Sequence, residues 1–591
     1  MLHLPCLGDS AELRLRHGRR HYHGAEETLR RPRGEARSFN ELFEVRSDIL
    51  SDIPVPKSYK ETQASQLRER WNESMRVEWE ALLKNETFEF VSRDDKRVRH
   101  RKPTKSRWVY TIKYNRDGTV ERFKSRFVVC GYSQKQDVDY DRAFSATLRA
   151  TSFRTLLAIA SGKSMRLGQI DVSNAFTQAQ MDDHDVYVEP PLGPFGECET
   201  IRGVQVKKLL KLRRALYGTK QASRLWQNTL REHLVSYGFE CSTADPCLYR
   251  CHTKDGEILL GVYVDDIIVA YKGNACYQRF SDAFFKRFPG KSSKLSWFLG
   301  MAIDQHEDYS IHVDHSLSIQ KMADKFIPSN KVTREFPSSD LFNKLDRAKN
   351  DVERAKMQNF GYASIVGALL YVSVMSRPDI AFHTSILAKF LADPSPECCD
   401  AASILLQYLY STRNKRMYYS GKVEVPEGLE KFRADIIRNH GFVAYSDSSW
   451  GNKYPYPMFG YGIYIYGGLI SFASKQLKTV AHSSCEAEYA AASYTSKEVE
   501  FVRNICRDLG MELKDRLVVG VDNTAAIDIA HDVGVSGRTK HFDRAIHYFR
   551  DLTQLRRIIP AFVNTHQQRA DGYTKALDKS TFLKWVKNIL H

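Results

Sequence analysis

Long apolar runs are what this 591-residue chain most plainly lacks. No stretch reaches the roughly 20 apolar residues that a membrane helix needs. The opening Met1-Leu-His-Leu-Pro-Cys has none of the apolar core of a secretion signal. Cysteine is sparse and unpatterned: 11 residues, no Cys-x-x-Cys and no Cys/His set at zinc spacing. Cys241, Cys247, Cys251 and His252 lie near one another without paired spacing and read as unligated. These absences argue against a membrane-spanning or secreted, disulfide-framed protein and for a reducing, intracellular compartment. Acidic charge is also in short supply. Lys plus Arg number 88 against 71 Asp plus Glu, a net charge of +17, which points to a polyanionic partner, nucleic acid first. An apolar content of 42% with 12% aromatics is enough for real cores, and a chain of this length suggests about three or four domains.

The chain is organised around Leu259-Leu-Gly-Val-Tyr-Val-Asp-Asp-Ile-Ile-Val-Ala270. Its β-branched run predicts two strands, Leu259 to Val264 and Ile267 to Ala270, with Asp265 and Asp266 as the two-residue turn between them. A third acid, Asp171, ends a short apolar strand in Leu167-Gly-Gln-Ile-Asp-Val172. One strand-end Asp plus an Asp-Asp hairpin suits two-metal phosphoryl transfer, in which ions about 3.5–4 Å apart share a carboxylate. Mg²⁺ takes such oxygens together with substrate phosphates. Asp171 and Asp265 are the expected bridging pair and Asp266 a further metal contact. Upstream, Arg107–Tyr114 and Val120–Val129 flank the turn Asn115-Arg-Asp-Gly118. Period-two alternation puts Arg122, Lys124 and Arg126 on one face, a cationic ribbon suited to triphosphate and template phosphates.

Around these elements the pattern predicts a loose polar arm over residues 1–55, a helix from Ser65 to Asn85, and another from Ser152 to Ala160. Trp297–Ile303 reads as one strand and Ile319–Phe326 as a helix. Residues 328–358 are charged and read as a linker or an irregular thumb element, and Phe360–Tyr371 and Leu405–Leu409 lie in apolar helices. Arg377 is a cap or one half of an ion pair. A second acid set follows: Asp447 ends the strand Phe442–Trp450, Asp522 ends a strand from Val518, and Asp571 follows the strand Ile558–Val563. Glu486 and Glu488 sit in the first turns of a helix capped by Ser483. An aromatic hairpin turns about Gly467-Gly468. Four acids on strand ends and a helix start make a second two-metal candidate.

Lys113-Tyr-Asn, Phe123-Lys-Ser-Arg126, Gly131-Tyr-Ser-Gln134, Ser152-Phe-Arg154, Gln169-Ile-Asp-Val172, Leu216-Tyr-Gly-Thr-Lys-Gln-Ala222, Trp226 and Tyr263-Val-Asp-Asp266 occur in order. Together, from about residue 55 to 320, they resemble the reverse transcriptase of copia-type LTR retrotransposons. Residues from about 435 to 590 resemble the ribonuclease H that follows such polymerases. The resemblance implies an α+β multidomain chain: the arm 1–55, a right-hand polymerase with fingers, palm and thumb over 56–325, a connecting helical region over 326–434, and a ribonuclease H-like mixed α/β domain over 435–591. It implies a polymerase that copies RNA or DNA into DNA. The partners would be an RNA template, a DNA primer, RNA–DNA hybrid and deoxynucleoside triphosphates, with two Mg²⁺ per active site and Mn²⁺ as substitute. It also implies work in cytoplasmic virus-like particles or the nucleus.

Carried over by position, Asp171, Asp265 and Asp266 match the polymerase metal acids, and Asp447, Glu488, Asp522 and Asp571 the ribonuclease acids. Lys124 and Arg126 match basic finger residues that contact the incoming nucleotide. Phe176 matches the aromatic position below the sugar, where a bulky ring would exclude a 2′-hydroxyl. Gln221 matches a polar residue near sugar and base, although Thr219 and Ser223 beside it depart from the common pattern. Glu488 is preferred to Glu486 because a run of small apolar residues follows it. Gly537-Arg-Thr-Lys-His-Phe-Asp543 and His547 also match, and His541 or His547 would touch substrate, aid product release or serve as a structural histidine. Gly572 departs from the family's usual apolar residue. The alternative is an inactive, nucleic-acid-binding remnant of such an element, against which stands the presence of all seven acids.

Overall fold

The helix Arg68–Lys84 buries Trp71, Met75, Trp79 and Leu82, a stripe of i, i+4, i+8 and i+11 that gives it one apolar face. That face lies on the antiparallel hairpin Ser106–Tyr114 and Val120–Val129, where Val109 stands opposite Arg126 and Thr111 opposite Lys124. Alternation sends Phe127 and Val129 into this core and leaves Lys124 and Arg126 half-buried on the other side. The computed structural model describes residues 53–591, apart from 99–100, 115–118, 183, 329–331, 338, 358–359, 451–455, 479, 515 and 533–546. The expected arm up to residue 52, the turn at 115–118 and the segment containing His541 lie outside the described residues.

The palm is a six-stranded antiparallel sheet in the order Gly290–Lys294, Arg166–Val172, Asp266–Lys272, Gly256–Tyr263, Leu248–Thr253, Glu240–Cys241. Its central strands are apolar on both faces because both are covered. Ile267 and Val269 face Trp226, Leu230, Phe280 and Phe284 of the helices Ala222–Tyr237 and Asn274–Arg287. Ile268 and Ala270 face the helix Ala150–Gly162. The chain turns one residue earlier than its sequence suggests: Asp266 already belongs to the second strand, paired with Tyr263, so the turn is Val264-Asp265. Trp297–Ile303 is likewise not one strand. Leu299 and Gly300 take φ of +49° and +75° and fold it into the hairpin Trp297–Phe298 and Met301–Gln305.

Ile311–Asp314 extends that hairpin into a second sheet, the connecting region adds the strand Met417–Tyr419 beside it, and the same region packs the helices Tyr362–Met375, Ala381–Ala388 and Pro396–Ser411. Arg377 is half of an ion pair: its Nη2 lies 2.7 Å from Asp379 Oδ2, with both side chains buried. The last sheet runs Gly468–Gln476, Met458–Ile465, Val443–Ser449, Leu517–Val521, Ile558–Phe562. Its first three strands are antiparallel and its last two run parallel to Val443–Ser449, with the helix Ser484–Asp508 packed on it. The described residues cluster as one unit. One apolar core runs from Leu148 on the palm through Leu369 and Leu405 to Val443, Val502 and Val586.

Candidate active sites

The first acid set is assembled by strand register. Asp171 stands directly opposite Asp266 on neighbouring antiparallel strands, so both carboxylates leave the same face of the sheet. Asp265 sits beside them on the turn. Val264 holds that turn at φ +57°, a left-handed conformation that is costly for a β-branched residue. The indole N–H of Trp226 donates to the Val264 carbonyl at 2.6 Å and pins it. Gln169 donates from Nε2 to Asp266 Oδ1 at 3.3 Å. Burial, followed by Asp265 and Asp171, pushes Asp266 up to about 6. Burial also raises Asp265, against the pull of Arg126 and Lys124. The three acids are neighbours, but unlike those of the second set they do not bring one oxygen each within 4.8 Å of one another.

The basic ribbon faces these acids. Burial, and then Arg126 and Arg122, push Lys124 down to about 8, and the Nε of Arg126 is buried without a hydrogen-bond partner. Tyr217 joins the expected nucleotide residues: Phe176 meets it edge-on with ring centres 4.7 Å apart, and the Arg126 guanidinium lies 5.3 Å from its ring centre. Gln221 is placed inside the protein rather than open on its surface. It is fully buried, donates to the Asp139 carbonyl at 2.8 Å and accepts from Gln134 at 3.2 Å. Both ends of this buried amide are held by protein partners.

The second set converges. Oxygens of Asp447, Glu488 and Asp522 all lie within 4.8 Å of one another, the one such group among the described residues. Ser448 donates from its backbone N–H and its hydroxyl to Glu488 Oε1 at 3.1 and 2.9 Å, while Glu488 Oε2 is buried with no partner. Thr565 donates to Asp522 Oδ2 at 3.2 Å, and the Thr574 hydroxyl donates to Asp447 Oδ2. Glu486 is engaged elsewhere, accepting from the His482 backbone N–H at 2.8 Å. Burial, then Asp571, pushes Asp447 up to about 8; burial, then Asp447 and Asp522, raises Glu488 well above the carboxylate range. Asp571 flanks Asp447 and pairs with Lys575 at 3.0 Å. His547 contacts Tyr489 through Nδ1 at 3.1 Å. Ser448, Thr565, Thr574 and Lys575 escaped the sequence reading; only the i, i+4 spacing of Asp571 and Lys575 hinted at contact.

The donor set of the second cluster fits a hard divalent ion: carboxylate oxygens at mutual ligand distance, one of them a buried orphan. A palm sheet carrying acids at its hairpin, followed by a ribonuclease H-like sheet carrying more, is the right-hand polymerase fold joined to a ribonuclease H-like domain. The family described as "Reverse transcriptase (RNA-dependent DNA polymerase)" matches residues 85–339. The Pol polyprotein of transposon TNT 1-94 from Nicotiana tabacum is 29% identical over 93% of this chain and 40% of its own length. That of transposon RE1 from Arabidopsis thaliana is 31% identical over 88% of this chain and 34% of its own. A transposon Ty5-1 protein of Saccharomyces cerevisiae is 30% identical over 56% of this chain and 100% of its own length. A solved foamy viral protease-reverse transcriptase in complex with double-stranded DNA aligns with a TM-score of 0.40 and 12% identity, over 84% of this chain and 70% of that one. The chain belongs to the reverse-transcriptase-bearing Pol proteins of copia-type retrotransposons. It spans about two fifths or less of the plant polyproteins it matches.

Proposed function

We propose that the chain is an RNA-directed DNA polymerase with a linked RNA–DNA hybrid ribonuclease, each site working by two-metal phosphoryl transfer with Mg²⁺, or Mn²⁺ in its place. The observation that carries the reading is the register that sets Asp171 opposite Asp266 with Asp265 on the adjoining turn, under a ribbon bearing Lys124 and the unpartnered Arg126 Nε. Asp171, Asp265 and Asp266 would hold the ions of the first site, and Asp447, Glu488, Asp522 and Asp571 those of the second. When bound, the ions neutralise phosphate charge and activate the attacking oxygen. Lys124 and Arg126 bind and orient the triphosphate; its negative charge favours the protonated form of Lys124, which burial disfavours. Phe176, braced on Tyr217, walls the sugar side. In the second site Ser448, Thr565 and Thr574 fix the carboxylates so that little reorganisation is needed on loading. RNA template, DNA primer, hybrid and deoxynucleoside triphosphates are the proposed partners, in an intracellular particle or the nucleus.

The test is the purified chain on a homopolymer RNA template with a DNA primer, and separately on labelled RNA–DNA hybrid, with Mg²⁺. Asp265→Asn should bring DNA synthesis to background and leave hybrid cleavage; Asp447→Asn should do the reverse. Synthesis unchanged by Asp265→Asn would refute the polymerase assignment. Hybrid binding with no turnover in the parent chain would favour the inactive remnant.

A further inference from the structure

The second acid cluster contains a cation of its own. Asp447, Glu488 and Asp571 are all more than nine-tenths buried, and Asp522 stands close enough for its charge to bear on each of them. The cluster divides in two. On one side Asp447, Glu488 and Asp522 bring oxygens within 4.8 Å of one another, with Glu488 Oε2 unpartnered. On the other side Asp571 faces Asp447, and the Nζ of Lys575 lies 3.0 Å from Asp571 Oδ2. Asp571 Oδ1 there is also buried and unpartnered. The charge of Lys575 interacts with Asp447 and Asp522 as well as with Asp571, so it serves the cluster and not one partner alone.

We propose that Lys575 is a built-in counter-cation standing in for the second metal ion: the cluster keeps one position ready, on Asp447, Glu488 and Asp522, and the position between Asp447 and Asp571 is loaded only as Lys575 withdraws. This rests on the two-metal reading of the site. Lysine suits the part. Its ammonium is a compact point charge on a flexible stem, and 42% of its side chain is exposed against 10% for Asp571, so it has an open route to solvent. Thr574 donates to Asp447 Oδ2, a restraint that does not pass through Lys575.

The experiment uses the full chain carrying Asp265→Asn and Asp266→Asn to silence the first site. It is titrated with Mn²⁺ by calorimetry and by paramagnetic resonance of the free ion. The parent should bind one ion tightly and a second weakly. Lys575→Met should bind the second ion about tenfold tighter, since a resident positive charge has gone, and should melt at a lower temperature without metal but not with saturating Mn²⁺. Lys575→Arg, which keeps the charge and grips a carboxylate with a fork, should bind the second ion no better than the parent, and it carries the test if Lys575→Met fails to fold. Second-ion affinities that coincide between the parent and Lys575→Met overturn the inference, as does Lys575→Arg binding the second ion tighter than the parent. Mn²⁺ binding that Asp447→Asn leaves untouched in every chain overturns the two-metal reading itself, and the counter-cation with it.

Discussion

At the scale of one residue, Phe176 is proposed to set the choice of sugar. It is half-buried and rests edge-on against Tyr217, which in turn lies under Arg126. A ring held from behind cannot yield to an extra hydroxyl. Phe176→Val should therefore raise the ratio of ribonucleotide to deoxyribonucleotide incorporation, measured as kcat/KM, by roughly 10- to 100-fold. An unchanged ratio would reduce Phe176 to packing for Tyr217. Gly572 is a second residue whose identity the tertiary structure explains. A Cβ there would stand 2.4 Å from the Trp585 ring, so the apolar side chain expected at this position is replaced by the indole from the C-terminal helix.

At the scale of the element, the palm hairpin places two of its acids through a strained turn. Left-handed φ costs a non-glycine residue about 1–2 kcal/mol, and at Val264 this is held in place by the Trp226 donor and by strands buried on both faces. Val264→Gly should leave the melting temperature unchanged or higher, while DNA synthesis falls because Asp265 is less firmly aimed; hybrid cleavage should not change. A clear drop in melting temperature would show that the turn stores no strain. The earlier turn also explains the register: with Asp266 on the strand rather than at the tip, it lies opposite Asp171.

Across the whole molecule, Arg154 joins what the sequence separates. It leaves the palm helix Ala150–Gly162, is 3% exposed, and donates from Nε to the Ile470 carbonyl at 2.8 Å and from Nη1 to the Val374 carbonyl at 2.6 Å. Its guanidinium lies 4.6 Å from the Phe472 ring centre. One cation thus binds palm, connecting region and ribonuclease H-like sheet. Arg154→Met would leave buried carbonyls without this donor, at a cost of about 2–5 kcal/mol. Calorimetry should then resolve two melting transitions where the parent chain shows one. A single transition at the parent's temperature in Arg154→Met would show that the apolar core alone holds these regions together.

Local chemistry made much of this legible from the chain alone. Apolar and β-branched runs located the strands that bring in Asp171, Asp447 and Asp522 and, one residue out at the turn, the hairpin of Asp265 and Asp266, and Ser483 marked the helix of Glu488, because these signals act over a few residues. What only the tertiary structure decided acts over long separations. The Thr574 hydroxyl reaches Asp447 across 127 positions, Ser448 reaches Glu488 across 40, and Arg154 reaches Ile470 across 316. Whether Gln221 faces a ligand or the interior, which glutamate turns toward Asp447, and where Lys575 rests depend on how separately formed elements pack. Burial and electrostatic pairing set that packing, and no short window of sequence records it.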